Sequence, residues 1–303
     1  MATSLTKTQQ RITDLLNSDS KTGDLVHSYY RDALEKVRSN LLLFYIRYAD
    51  ETGLSVSQVQ ARANQWDVAQ FEAAIALLDV ELAESSSDTK DKAKTRRAKA
   101  IIDGHSHNRQ LVMMGTMTAT VLTVTTKVEK ALSSRLRLDL KDETKYHKLP
   151  RSTKRTLKAS AKDYTTNLSE SIWNGNDALN AELHYLVNKN LAGKGLTSQD
   201  FSRLFPYMKR KGIKPGTITN SFHLAEYHAM NAVKWWSAAE VDDVTMASLK
   251  RQHVRMVNIV NEPGACMRCN DLADAGPYPI DDCPSLPAHG NCRCHKESAD
   301  RPA

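Results

Sequence analysis

Cysteine is missing from the first 265 residues of this 303-residue chain; all five, Cys266, Cys269, Cys283, Cys292 and Cys294, fall in the last 38. A disulfide framework through the body is thereby excluded. The odd count, with no secretory signal ahead of it, favours metal ligation in a reducing compartment. Aromatic residues are also scarce, at 6%. Long apolar runs are lacking: Leu41–Phe44 and Leu111–Met114 are the most apolar stretches, well short of the roughly 18–20 residues of a membrane span. Met1–Asn17 reads as a short amphipathic helix and not as a signal peptide. A soluble protein made in the cytoplasm is expected.

Catalytic signatures are absent too. The chain has no G-x-x-x-x-G-K-S/T loop, no G-x-G-x-x-G, no G-x-S-x-G elbow and no H-E-x-x-H. His223 and His228 flank Glu226 but stand five apart, about 140° around a helix, so they cannot share a ligand face. His105 and His107, beside Gly104, fit the loop before a helix. No enzyme is expected, and a zinc-supported nuclease around His289, Asn291 and His295 lacks paired carboxylates.

What is present is an ordinary globular composition, 41% hydrophobic and 25% charged, with 42 Lys and Arg against 35 Asp and Glu. That length can bury one large core or two modest ones. The net charge of +7 permits contact with nucleic acid or an acidic protein.

Helical periodicity dominates. Leu25, Tyr29, Ala33, Val37, Leu41 and Phe44 line one face of a helix from Asp24 to about Asp50, closed at Gly53. Ser55 with Gln58, and Asp67 with Gln70, resemble capping boxes. Phe71, Ile75, Leu78 and Leu82 continue the second of these. After the polar break at 84–88, a charged helix runs from Asp88 to Ile102. Met114, Met117, Val121, Val124, Val128 and Ala131 alternate three and four apart, the seam spacing of packed helices. The seam suits packing within the chain, or self-association. Ile172, Trp173, Leu179, Leu183 and Leu186 mark another helix, Thr197 caps the next, and Thr219–Ala239 is helical again. His253–Val260 alternates as a short strand, one arm of a hairpin. The predicted fold is mainly α: a multi-helix body with a small α+β C-terminal module clipped by a metal. Three consecutive regions are expected, 1–150, 151–245 and 246–303.

The stretch Lys141–Asp163 holds eight Lys or Arg against three Asp or Glu. Lys141, Lys145, Lys148, Arg151, Lys154, Arg155, Lys158 and Lys162, with Lys209, Arg210 and Lys211 in a second basic turn, are the candidates for contact with nucleic-acid phosphates.

The tail carries the chemistry. Cys266 and Cys269 form a C-x2-C knuckle, and His289, Cys292, Cys294 and His295 follow after a Pro-rich loop. A tetrahedral zinc takes four such ligands. Cys266, Cys269 and His289 are the first three. Cys292 and Cys294, two apart, are expected to point to opposite sides, so that one completes the set and the other packs; Cys292 is favoured. Cys283 is a spare thiol or a substitute ligand. Beyond Asn261 the chain is rich in Gly, Pro and Cys, and a single structural zinc would supply what its small core cannot.

These residues resemble a known ending. Cys266-x-x-Cys269-x-x-Leu272, then His289-Gly-Asn-Cys292-Arg-Cys294, is similar to the C-terminus of the tailed-bacteriophage minor head proteins, the head morphogenesis or Mu F-like family, which typically reads His-Pro-Asn-Cys-Arg-Cys. Gly290 departs from the usual proline. Upstream, Leu224-Ala225-Glu226 with Ala229, Asn231 and Ala232 resembles a helix that usually starts Arg-Thr-Glu, of which only Glu226 is kept. The resemblance spans roughly residues 155–296. It implies a minor capsid protein of the virion, inside the capsid, with three partners: the portal, the major capsid or scaffolding protein, and packaged double-stranded DNA. A DNA-binding accessory protein outside the virion is the alternative.

Overall fold

The computed structural model describes residues 6–47, 53, 62–191, 197–206 and 216–300. Among the described residues seven α-helices precede the first strand: α1 Lys7–Leu41, which continues through a π-helical turn Leu42–Arg47, α2 Gln65–Ala83, α3 Ser87–Gly104, α4 Arg109–Tyr146, α5 Arg151–Leu191, α6 Ser198–Leu204 and α7 Ile218–Arg251. Then come β1 Met256–Val260, α8 Met267–Asp274, β2 Tyr278–Pro279 and β3 His295–Ser298. A mainly helical body with a small α+β module at its C-terminal end is therefore what the chain forms.

Two compact units are present. One comprises Met1–Leu25, Ala131–Ser171 and Ala229–Ala303; the other comprises Val26–Lys130 and Ile172–His228. The first unit gathers segments from all three regions distinguished in the sequence, the second from two of them.

The helices are longer than periodicity alone indicates. The N-terminal amphipathic helix and the one expected from Asp24 are both parts of α1, and α7 runs on past Ala239 to Arg251. Helix α2 starts earlier than expected. Its N-cap is Asn64, whose side chain accepts from the Asp67 amide at 3.0 Å while the Asp67 carboxylate accepts from the Asn64 amide at 2.8 Å. Asp67 closes this box as the third helical residue and does not open it, and it is held there by buried Arg109 at 2.6 Å. The expected cap at Ser55 lies outside the described residues. The cap at Thr197 is found as read, reciprocated by Asp200.

In the second unit α4 is enclosed. Met114, Met117, Val121, Val124 and Val128 are buried as their spacing requires, and so are Thr116, Thr120, Thr125 and Thr126. Each of these four hydroxyls donates to the carbonyl four residues back, at 2.7–2.9 Å. A threonine-rich helix can therefore be buried without stranding polar groups. By length and composition α4 could cross a membrane, but 89% of its apolar stretch is buried inside the protein. Two glycines permit close approach nearby. A Cβ on Gly115 would stand 2.7 Å from the Ala100 carbonyl and the Gly104 amide, and one on Gly104 would stand 2.4 Å from the Phe71 ring.

In the first unit β1 is the middle strand of an antiparallel sheet, β2-β1-β3. Val257 faces Tyr278 on one side and Ser298 on the other. The expectation of one arm of a hairpin is corrected: both partners of β1 come from farther along the chain, and α8 separates it from β2.

Leu140, Leu149 and Val244 form an apolar cluster against which Leu157 and Ala161 pack. Glu240 is buried, its Oε2 has no partner, and burial together with the carboxylates of Asp139 and Asp243 pushes its pKa up to about 8. Its pKa is higher in the folded than in the unfolded chain. Stability should therefore be complete below the ordinary carboxyl range and fall as the pH rises towards about 8. Glu240→Gln is expected to leave the urea midpoint at pH 5 nearly unchanged and to raise stability at pH 9 by about 2–4 kcal/mol. Equal shifts at the two pH values would show that this carboxyl does not carry the effect.

Candidate metal centre

Two turns and a short helix bring the tail ligands together. Pro263 and Gly264 occupy the centre of a turn closed by the Ala265 amide donating to the Glu262 carbonyl at 3.1 Å, with Gly264 at φ +77°. Proline followed by a glycine at positive φ is the demand of a type II turn. Cys266 then caps α8 in extended geometry, and Cys269 lies on its first turn. The knuckle is thus a helix start, which the sequence reading did not include. On the other side, the Cys292 amide donates to the His289 carbonyl at 3.2 Å and Asn291 takes φ +66°, a left-handed conformation that asparagine tolerates. A Cβ on Gly290 would meet nothing within 4 Å, so packing does not require glycine at this position.

Five side chains converge as two triads that share Cys269: Cys266, Cys269 and His289, and Cys269, Cys292 and Cys294. Within each, the donor atoms lie within 4.8 Å of one another. His289 Nε2 stands 3.2 Å from Cys266 Sγ and 3.1 Å from Cys269 Sγ, and Cys269 Sγ is 3.7 Å from Cys292 Sγ. Thiolates around a tetrahedral zinc, each about 2.3 Å from the ion, are roughly 3.8 Å apart. His289 Nδ1 lies 2.6 Å from the Gly290 carbonyl and donates to it, which leaves the Nε2 lone pair free to face the thiols. This donor set can hold a metal ion.

The expectation that Cys292 and Cys294 point apart is corrected. Residues two apart in extended chain share a face, and both sulfurs lie on the side of Cys269. Cys294 also approaches Asn261 Oδ1 at 3.6 Å. Cys283 belongs to neither triad and packs against the small apolar cluster of Ile259, Leu286 and the buried cysteines.

Charge is unevenly distributed among the thiols. A hydrogen bond from Cys294, opposed by burial, brings Cys292 down to about 5, whereas Cys294 itself is raised. Burial, with the neighbouring Cys292, pushes Cys269 up to about 12. Backbone amides at the start of α8, that of Cys269 foremost, lower Cys266. Two sulfurs are thus inclined to ionise, and the others become thiolates when a cation supplies the compensating charge.

The residues interleaved with the ligands face the helices of the same unit. Arg293, 2% exposed, forks onto Asp19 of α1 at 2.6 and 2.8 Å and reaches Ser237 of α7 at 3.1 Å. Ser237 donates to Asp139 at 2.6 Å, Asp139 accepts from Arg135 at 2.8 Å, and Arg135 returns to Asp19 at 3.5 Å. The result is a closed buried ring. Lys296 pairs with Asp242 at 2.9 Å, and His295 stands 3.5 Å from Glu143. Burial opposes ionisation of Glu143, but bonds from His147 and His295 and the charge of Arg11 outweigh it and hold the carboxyl well below its usual range. In the sequence Arg293 stands out only as a member of the His289–Cys294 motif, with no buried partner to read, and Lys296 does not stand out. The signal available was a cation on each side of Cys294–His295 in a tail too small to be left unanchored.

The remaining candidates lie elsewhere. Lys141, Lys145, Lys148, Arg151, Arg155, Lys158 and Lys162 are exposed in the first unit, and Lys154 is half-buried. Lys209, Arg210 and Lys211 lie outside the described residues. In the second unit Glu226 sits between two imidazoles, His27 at 3.0 Å and His223 at 3.7 Å. No protein-family model matches the chain, and neither does any curated protein or solved structure.

Proposed function

We propose that the chain is a structural protein of a tailed-phage head: a minor capsid, or head morphogenesis, component inside the capsid. There it binds the portal, adjoins the major capsid or scaffolding protein and lies near packaged DNA. It acts as a connector and not as a catalyst. One observation carries the reading: the motif residues behind the resemblance, Cys266, Cys269, His289, Cys292 and Cys294, gather as two triads that share Cys269, and Arg293 from the same motif is buried against the helices. A single structural zinc fits this donor set, since all the donors are thiols and an imidazole. Cys266, Cys269 and His289 would hold it with Cys292, whose sulfur is 3.7 Å from that of Cys269. Cys294 is then the thiol that bonds to Cys292 from outside. The zinc would supply folding free energy to the tail and no chemistry.

Protein composition of purified heads and assembling procapsids tests the assignment. The chain should be present at a fixed copy number per particle, and its absence from both overturns the reading. The exposed basic start of α5 favours the second reading, a DNA-binding accessory protein outside the virion; it would be found on DNA in the host but in no particle.

A further inference from the structure

We infer that the first three turns of α5 form a phosphate-tracking ladder for duplex DNA, made by Arg151, Arg155, Lys158 and Lys162. At 3.6 residues per turn the four positions fall within an arc of about 60°, and at 1.5 Å per residue they span roughly 16 Å of helix. All four are exposed. The other side of the same helix is fastened down: Leu157 and Ala161 pack on Leu140, Leu149 and Val244, and the Tyr164 hydroxyl donates to Asp243 at 2.6 Å. The ladder therefore projects from a fixed support.

Two further observations distinguish it from an ordinary solvated face. Elsewhere several surface cations are matched by acids, among them Arg38 by Glu35, Lys92 by Asp88, Arg97 by Asp79, Lys127 by Glu81 and Lys130 by Glu84. Exposed cations without an ion pair to a described residue, such as Lys7, Lys94, Lys99 and Arg251, are scattered over three helices and do not form a row. None of the four ladder residues forms an ion pair with a described residue. Arg151, the first residue of α5, also sits at the wrong end of its helix. The first turn of α5 has no acidic residue, and cations near a helix N-terminus oppose its dipole. A row of phosphates corrects both faults at once, by neutralising the cations and by lying near the positive end of the helix.

Duplex is favoured over single strands because no exposed aromatic interrupts the ladder to stack bases. Lys154 is half-buried and flanks the row. The choice of double-stranded DNA rests on the reading of a protein near a packaged genome; the ladder itself rests only on α5.

The test is binding of the full-length protein to a 30-base-pair duplex across a salt series. Four contacts predict that affinity falls on the order of a hundredfold between 50 and 200 mM salt. The R151Q/R155Q/K158Q/K162Q protein should lose about three to four from the logarithmic salt slope. A control with the same charge loss, K7Q/K94Q/K99Q/R251Q, should keep the wild-type slope. Unchanged helicity by circular dichroism makes the comparison valid, and glutamine is compatible with helix at all four sites. Three results overturn the proposal: equal slopes for the ladder variant and the wild type, equal losses in the ladder and control variants, or tighter wild-type binding to phosphatidylserine vesicles than to duplex at the same salt. Incorporation into heads is scored separately: a chain absent from particles but with a working ladder defeats only the capsid assignment. A chain present in particles with a silent ladder defeats only this inference.

Discussion

Stripping the metal should unfold the C-terminal module while the helices remain. Elemental analysis is expected to find about one zinc per chain, and a strong chelator should abolish protection from proteolysis and hydrogen exchange over residues 256–298. The module's own core explains the size of the effect. Its buried cluster is Ile259, Cys269, Leu286, Cys292 and Cys294, so three of five members are candidate ligands. Without the ion they are thiols crowded together with little apolar area to hold them. Structural zinc in small modules supplies on the order of 10 kcal/mol or more of folding free energy. Cys269→Ser should do the most damage, because that sulfur belongs to both triads and is buried. Cys266→Ser and His289→Ala should also loosen the tail strongly. Cys283→Ser should change little. Equal effects from Cys283 and the others would show that the ligand set is misassigned, and a compact, protected tail in metal-free protein would remove the zinc altogether.

Arg293→Ala should destabilise the protein by about 3–5 kcal/mol, the usual result of breaking a buried ion pair from one side. Asp19 would keep only Arg135, at 3.5 Å, and Ser237 would lose its second partner. Lysine should not rescue the position, since one ammonium cannot reproduce the forked contact of the guanidinium with both Asp19 oxygens. A paired apolar replacement, Arg293→Met with Asp19→Leu, should recover much of the loss, because it removes both charges instead of stranding one. Urea unfolding of the three variants measures this, and zinc content should stay at the wild-type level in each. A loss below about 1 kcal/mol for Arg293→Ala would class the pair with surface salt bridges and refute the buried ring as an anchor.

The two effects are linked by two-residue alternation. Along residues 292–296 the ligands Cys292 and Cys294 face the sulfur cluster, while Arg293 faces Asp19 and His295 approaches Glu143. Metal binding and docking onto the helices are therefore served by opposite faces of one short segment. Reading only the cysteines revealed one face. The other was hidden because Asp19, Asp242 and Glu143 are distant in sequence and unremarkable in their local patterns.

Much else was legible for a stated reason. The seam from Met114 to Val128 is a local periodicity, and local periodicity survives in any tertiary context that buries it. Thr197 with Asp200 is a local hydrogen-bonding signature, and it caps a helix as expected. Asp67 shows where such signatures fail. Asn64–Asp67 and Asp67–Gln70 both satisfy the pattern, and the choice falls to Arg109, 42 residues away.

By itself, the sequence determined that the chain is mainly helical, that its cysteines and His289 gather in one tail, and that four cations share a face of α5. Each follows from spacing along the backbone, which sets direction within a helix or turn before anything else packs. Tertiary structure alone decided that Cys292 and Cys294 lie beside Cys269, that Arg293 closes a buried ring, and that Glu240 is left without a partner. Those outcomes depend on which distant carboxylates and thiols share a low-dielectric space, and charge energies there are set by proximity in three dimensions.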